Sequence, residues 1–181
     1  MGRRETDFWF FVSHRVGHYT RAGAAERCNF EIMHTYDGLG VSGGNWAGES
    51  AHLTIYPHPS FDRIRIDIRG SLLNDRDDRY LPLEDDPQRG LAFAFRDACL
   101  ALPATVGIVA NRFNDYLVLD NPHFRIEDHD RAWFLSQRFT LLYLDGTIAS
   151  AADAPLARKT LPVPRGLCVF RGDDIIPWYG E

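Results

Sequence analysis

The chain has 181 residues, of which 45% are hydrophobic and 25% charged, and its formal net charge at pH 7 is −5. These values are typical of a folded globular protein and predict one domain spanning residues 1–181. The acidic balance argues against a non-specific nucleic-acid-binding protein, which usually carries a basic stripe.

The N-terminal part of the chain predicts strands that are interrupted by a long loop. Thr6 to Val12 is aromatic and β-branched, which is typical of a strand. Arg21 to Cys28 predicts a short helical turn, and Asn29 to Tyr36 alternates in the manner of a strand. Five glycines in Asp37 to Gly48 predict a long flexible loop, and loops of this length are often functional.

The clearest strand signal is a hairpin, Ala51 to Tyr56 and Asp62 to Gly70, around a proline-rich turn. Apolar and charged residues alternate in the second strand, which predicts one buried and one solvated face. The core side carries Ile64, Ile66 and Ile68, and the solvent side carries Arg63, Arg65, Asp67 and Arg69.

Asp86 and Pro87 predict the start of a helix from Pro87 to Leu102, which Pro103 ends. Its apolar stripe consists of Leu91, Phe95, Ala98, Cys99 and Leu102. Further strands are expected at Thr105 to Ala110, Tyr116 to Leu119, Phe124 to Glu127, Trp133 to Leu144, Thr147 to Ala149, Gly166 to Phe170 and Ile175 to Trp178, with a loop at Ala151 to Pro164. This order predicts an α+β fold: a strongly curved, mostly antiparallel sheet, open or closed into a barrel, packed around the helix at 87–102.

The cysteines and the hydropathy pattern predict a soluble cytoplasmic protein. Cys28, Cys99 and Cys168 are widely spaced and odd in number, so a disulfide framework is not expected. Cys99 and Cys168 fall on apolar positions and are expected to be buried. No apolar run reaches the ~18 residues of a membrane span.

The predicted hairpin brings together the first group of candidate binding residues. If its strands pair as expected, one side of the sheet carries Arg63, Arg65 and Arg69 beside His52 and Tyr56. Cross-strand neighbours lie ~5 Å apart, so this side would be a basic and aromatic surface suited to an anionic ligand or an acidic protein patch. The alternative is an ordinary solvated sheet face on which Asp67 balances the arginines.

A second group of candidates brackets the glycine-rich loop. Tyr36 and Trp46 are aromatic anchors, and Asn45 adds a polar group. Trp46 could equally fold back onto the core. Gly44-Asn45-Trp46 also resembles the G-x-W motif that opens the first strand of lipocalin-type barrels, which would imply a ligand-holding barrel.

Motifs for metal binding, cofactor binding and catalysis are weak throughout the chain. Residues 123–130 are rich in nitrogen and oxygen ligands, but the same composition suits a polar loop. The histidines do not suggest a four-ligand geometry, so we expect no metal. No dinucleotide, P-loop or hydrolase motif is present, and we assign no cofactor and no catalytic residue.

Two classes of function follow from this profile. The first is a binding or inhibitory protein with a protein partner, and the general profile is similar to that of bacterial immunity proteins that neutralise a toxin. Such a protein would steer and plug a cationic site with acidic side chains, using Trp46 or Tyr36 as its anchor. The alternative is a carrier or enzyme that holds a small anionic ligand in a pocket of the curved sheet. Neither class involves nucleic acid or a membrane.

Overall fold

The computed structural model describes residues 5–30, 34–36, 39–69, 86–109, 121, 123–137, 139–156 and 158–171. Within these ranges, nine strands form a single sheet. The strands are β1 (Glu5–Ser13), β2 (His34–Tyr36), β3 (Leu39–Trp46), β4 (Glu49–Tyr56), β5 (Phe61–Arg69), β6 (Val106–Val109), β7 (Leu141–Leu144), β8 (Arg158–Leu161) and β9 (Leu167–Arg171). The helices are α1 (Arg21–Arg27), α2 (Asp86–Ala101) and α3 (Arg131–Ser136), with 3-10 turns at Ile126–Asp128 and Ala151–Asp153.

The sheet is open, and every neighbouring pair of strands is antiparallel. Its order is β2-β3-β4-β5-β1-β6-β7-β9-β8, so β2 and β8 form the two edges. The α+β prediction with a mostly antiparallel sheet is therefore confirmed. The nine described strands do not close into a barrel, and Trp46 ends β3 instead of opening a strand, so the likeness to the G-x-W motif does not extend to the described fold.

Strand β1 is buried on both faces because other elements cover the sheet on both sides at this central strand. Residues Phe8 to Val12 are all at most 3% exposed. On one face Phe8 and Phe10 pack with Ile64 and Ile66 of β5 beneath α1 and α2. On the other face Trp9 and Phe11 join a second apolar cluster. An aromatic strand without polar alternation is what a doubly covered central strand requires.

The second cluster covers only half of its face of the sheet. It lies over β6, β7 and β9 and is closed by residues from the segment around α3, among them Phe124, Phe134 and Phe139. Asp130 caps α3, since its carboxylate accepts a hydrogen bond of 2.8 Å from the Trp133 amide. The half of this face over β3, β4 and β5 carries polar side chains.

The prediction for α2 is confirmed, including its burial. Leu91, Phe95, Cys99 and Leu102 are at most 2% exposed, and Ala98 is also buried. Gly107 of β6 allows α2 to approach the sheet closely, because a Cβ at this position would lie 2.5 Å from Cys99 Sγ. The strands predicted around residues 51–56, 62–70, 105–110 and 166–170 are also present, and Cys99 and Cys168 are buried free thiols.

Several sequence predictions are wrong. The loop predicted from Asp37 to Gly48 is largely strand β3. The start of the strand predicted from Trp133 to Leu144 is helix α3, and Phe124 to Glu127 leads into a 3-10 turn. Thr147 to Ala149 was expected to be a strand but forms a turn. Ala151 to Pro164 was expected to be a loop but contains strand β8. The strands predicted at 116–119 and 175–178 lie outside the described residues.

In the described ranges, no helix combines the length and the apolar character that spanning a bilayer demands.

Candidate functional site

The sheet register places four of the predicted binding residues side by side. His52 pairs with Asp67, Thr54 with Arg65 and Tyr56 with Arg63. On the other side of β5, Arg65 pairs with Trp9 of β1 and Asp67 pairs with Asp7. Directly paired residues point to the same side of an antiparallel sheet. We call this surface the arginine–aromatic face; it consists of Asp7, Trp9, His52, Thr54, Tyr56, Arg63, Arg65 and Asp67.

Both arginines of this face lie over aromatic rings. Arg63 Cζ is 5.8 Å from the centre of the Tyr56 ring, and Arg65 Cζ is 5.9 Å from the centre of the Trp9 ring. The Trp9 and Tyr56 rings are themselves 5.8 Å apart. Each guanidinium is attracted by the ring below it and loses part of its side-chain freedom. The face therefore presents two pre-oriented planar cations on an aromatic floor.

Two carboxylates lie on this face. Asp7 of β1 pairs with Asp67 of β5. Asp67 Oδ2 lies 3.4 Å from Arg65 Nη2, and its Oδ1 lies 3.5 Å from His52 Nδ1. Arg63 donates to the backbone oxygen of Asn121 at 3.1 Å. The face therefore carries two guanidinium groups and two carboxylates beside one histidine.

The residues of the face differ in exposure. Trp9, Thr54 and Asp67 are at most 8% exposed, whereas the Arg65 side chain is 27% and the His52 side chain 47% exposed. Next to His52, Gly43 and Asn45 of β3 are also exposed. The most accessible part of the face is thus the part around His52, and its buried aromatic floor is continuous with the second apolar cluster.

The other predicted site residues do not all belong to this surface. Asn45 pairs with Ser50 and so lies on the same side of the sheet as His52. Trp46 points to the opposite side, is only 6% exposed and packs edge-on against Phe8 at 4.7 Å between ring centres. Of the two alternatives for Trp46, the structure has the one in which it folds back onto the core, because it ends a strand and not a loop. The side chains of Tyr36 and Arg69 lie outside the described residues.

A second polar cluster surrounds Asp62, which the sequence analysis did not single out. The Asp62 carboxylate is fully buried and accepts hydrogen bonds from His14 Nε2 at 2.9 Å and Tyr19 Oη at 2.8 Å. Arg21 donates to both of its oxygens, from Nε at 2.8 Å and from Nη2 at 3.0 Å. An aspartate in an otherwise apolar strand position is a sequence signal for such a network, but its partners are 41 to 48 residues away.

The hydrogen bonds of the Asp62 cluster favour an ionised Asp62 carboxylate and a protonated Tyr19 hydroxyl. Burial alone would raise the pKa of Asp62, but the hydrogen bonds from Arg21, His14 and Tyr19 outweigh it and hold the pKa below its usual value. Burial and the neighbouring carboxylate raise the pKa of Tyr19 well above its usual value. With the carboxylate saturated by four donors, the cluster fastens α1 and the segment before it to β5.

The possible metal loop at residues 123–130 takes a different form. The His129 ring stacks on Trp133 at 3.7 Å and faces Phe124 at 5.2 Å between ring centres. Among the described residues, no three His, Cys, Asp or Glu side chains converge as ligands. The aromatic stack therefore accounts for the position of this histidine.

No protein-family model matches the chain, and neither a curated protein nor a solved structure shows significant similarity to it. Function must therefore be inferred from the chain's own geometry.

Proposed function

We propose that this chain is a protein-binding protein whose interface is the arginine–aromatic face and whose partner presents an acidic surface. The observation that carries the proposal is the stacking of Arg63 on Tyr56 and of Arg65 on Trp9. Arginine, tyrosine and tryptophan are the residues most enriched at binding hot spots. Pre-ordered arginines lose less conformational entropy when a partner binds, which favours affinity.

The guanidinium groups of the face suit an acidic partner. Arg63 and Arg65 are planar donors that can form bidentate hydrogen bonds with carboxylates, and both lie over aromatic rings that orient them. A partner that presents carboxylates to this side of the sheet would gain these hydrogen bonds, which would fix the register of the complex.

The shape of the face favours a macromolecule over a small ligand. The residues lie along β4 and β5, which are eight and nine residues long. The face residues span positions 52–56 and 63–67, which is ~14 Å at ~3.4 Å per residue, and exposed Gly43 and Asn45 extend the open surface onto β3.

The biological role that we propose is inhibitory and cytoplasmic, of the kind that bacterial immunity proteins perform. The chain would block its partner by covering an acidic surface, with Tyr56 as the aromatic anchor in place of Trp46. This role depends on the interface alone and needs no catalytic group.

The proposal is tested by affinity capture from cells of the native source, followed by titration of the captured protein. Arg63→Gln should reduce affinity by about tenfold or more, because it removes a stacked arginine. Arg165→Gln is the matched control, since Arg165 is exposed and lies outside the face. Binding should also weaken with added salt. Equal affinity of the Arg63 variant and the control variant would contradict the proposal.

A further inference from the structure

A cleft of about 260 Å³ lies on the helix-covered side of the sheet, away from the arginine–aromatic face. Its walls come from three places: the end of α1, the turn between β3 and β4, and one side of α2. The lining residues are Arg27, Cys28, Asn29, Trp46, Ala47, Ala94, Asp97, Ala98 and Ala101. This volume lies just below the ~300 to 1,000 Å³ of drug-sized ligand sites, so the cleft has room only for a molecule about the size of a single ring.

Two facing walls of the cleft are apolar, and polar residues lie at its rim. Ala94, Ala98 and Ala101 lie on one side of α2 at helical spacing, and their methyl groups leave the space open. The facing wall is Trp46, whose indole is held by its edge-on contact with Phe8. A flat apolar ligand would therefore enter a preformed slot between the indole and the helix, at little cost in reorganisation.

Two charged residues line the cleft, Arg27 and Asp97. The carboxylate of Asp97 accepts hydrogen bonds from Arg96 Nη2 at 2.6 Å and Nε at 2.8 Å, so it is bound by a neighbouring guanidinium outside the cleft. Arg27 Nη1 donates to the backbone oxygen of Ala101 at 3.1 Å, which places its guanidinium at the rim as the cationic group of the cleft. Burial raises the pKa of Cys28 to about 12, so its thiol is neutral. An anionic group is the complement of this rim.

We propose that this cleft binds a small organic carboxylate. The carboxylate is held by the guanidinium of Arg27 and the side-chain amide of exposed Asn29, and the apolar body lies between Trp46 and the alanines of α2. The site is separate from the arginine–aromatic face, so it does not depend on the proposed protein interface. Its ligand would be a metabolite-sized molecule that the chain carries or senses.

Benzoate is a suitable probe because it joins a flat apolar ring to one carboxylate, and benzamide is its neutral counterpart. Two-dimensional NMR of the isotope-labelled chain should show benzoate-dependent shifts of the Trp46 indole N–H and the Ala98 amide. Benzamide should bind about tenfold more weakly, because it cannot form the charged pair with Arg27. Equal binding of both probes, or benzoate shifts confined to the arginine–aromatic face, would overturn the proposal.

Two variants separate the carboxylate contact from the slot itself. Arg27→Gln should weaken benzoate about tenfold and leave benzamide unchanged. Ala94→Leu should abolish binding of both probes by filling the slot, whereas Ala132→Leu, an exposed alanine of α3, should change neither. The Ala94 and Arg27 variants should keep the wild-type pattern of NMR peaks elsewhere. Benzoate binding of wild-type strength in either variant would refute the site.

Discussion

Replacing Asp62 with asparagine should destabilise the fold by about 2–4 kcal/mol at pH 7. The Asp62 carboxylate is fully buried and joins three segments of chain by four hydrogen bonds. Asparagine keeps the volume of the side chain, so any loss of stability reports the charge and the hydrogen bonds. The effect should therefore exceed that of an ordinary surface ion pair.

The magnitude follows from what the partners of Asp62 would face in the variant. Removing one member of a buried ion pair costs about 3–5 kcal/mol when the other charge stays buried. Arg21 and His14 are 44% and 36% exposed, so both can recover hydration and the cost falls below that range. Tyr19 is half-buried, and a stranded donor of this kind costs about 1–3 kcal/mol.

Urea unfolding at pH 7, followed by circular dichroism, measures this difference. The matched control is Asp97→Asn, which removes a carboxylate that is 62% exposed and paired with its neighbour Arg96. An exposed pair of this kind contributes at most about 1 kcal/mol. If the Asp62 variant is no less stable than the control variant, the network does not hold the fold together.

The pH dependence gives an independent check on the same residue. The folded-state pKa of Asp62 lies below the value of the unfolded chain, which is about 3.9. The stabilisation is therefore complete above the unfolded value and is lost as the pH falls through the folded pKa. The gap between wild type and Asp62→Asn should shrink below about pH 4. A gap of constant size down to pH 3, roughly one unit below that value, would refute the argument.

Three further changes test the packing. Phe95→Ala should cost about 3–5 kcal/mol through lost burial and the cavity it leaves, and an unchanged melting temperature would exclude Phe95 from the core. Gly107→Ala should cost about 1–3 kcal/mol, since its Cβ would meet Cys99 Sγ at 2.5 Å, and a neutral result would mean that α2 shifts freely. Ala47→Asn should raise the free energy of unfolding, measured in urea, by about 0.5–1 kcal/mol. Ala47 has φ 53° in a two-residue hairpin turn with Gly48, a conformation that asparagine adopts more readily than alanine. A loss of stability would contradict that turn geometry.

The sequence predicts best those elements whose local hydrophobic pattern matches the burial they have in the fold. The alternation in β5 and the capped apolar stripe of α2 each describe one element completely, and both are present. The register that joins Arg63 to Tyr56 follows from the short turn between the strands. These local rules also located the residues of the arginine–aromatic face.

Strand β3 was missed because its glycines favour a loop when they are considered alone. Its partners on both sides hold it extended, and Gly44 allows a close approach that other residues would prevent: a Cβ there would lie 2.9 Å from Phe30 Cδ1. Asp130 is an N-cap residue and could have indicated the start of helix α3, but the apolar residues that follow it suit a strand equally well.

The Asp62 network could not be found from local patterns. Its donors, His14, Tyr19 and Arg21, come from the segment after β1, and only the antiparallel pairing of β1 with β5 brings them to the carboxylate. The same limit applies to the cleft beside Trp46, whose walls come from three separated stretches of chain. Sites of this kind depend on how elements meet.

The central claim, that the arginine–aromatic face binds a protein partner, is tested most directly by photocrosslinking from within that face. A photoreactive phenylalanine analogue is placed at position 52, where the histidine side chain is 47% exposed, and in a control chain at the fully exposed Leu156. Both chains are illuminated in extracts of the native source and the adducts identified by mass spectrometry. We predict one discrete protein adduct from position 52 that Arg63→Gln suppresses and that position 156 does not form. No adduct from position 52, or the same adduct from both positions, would contradict the claim.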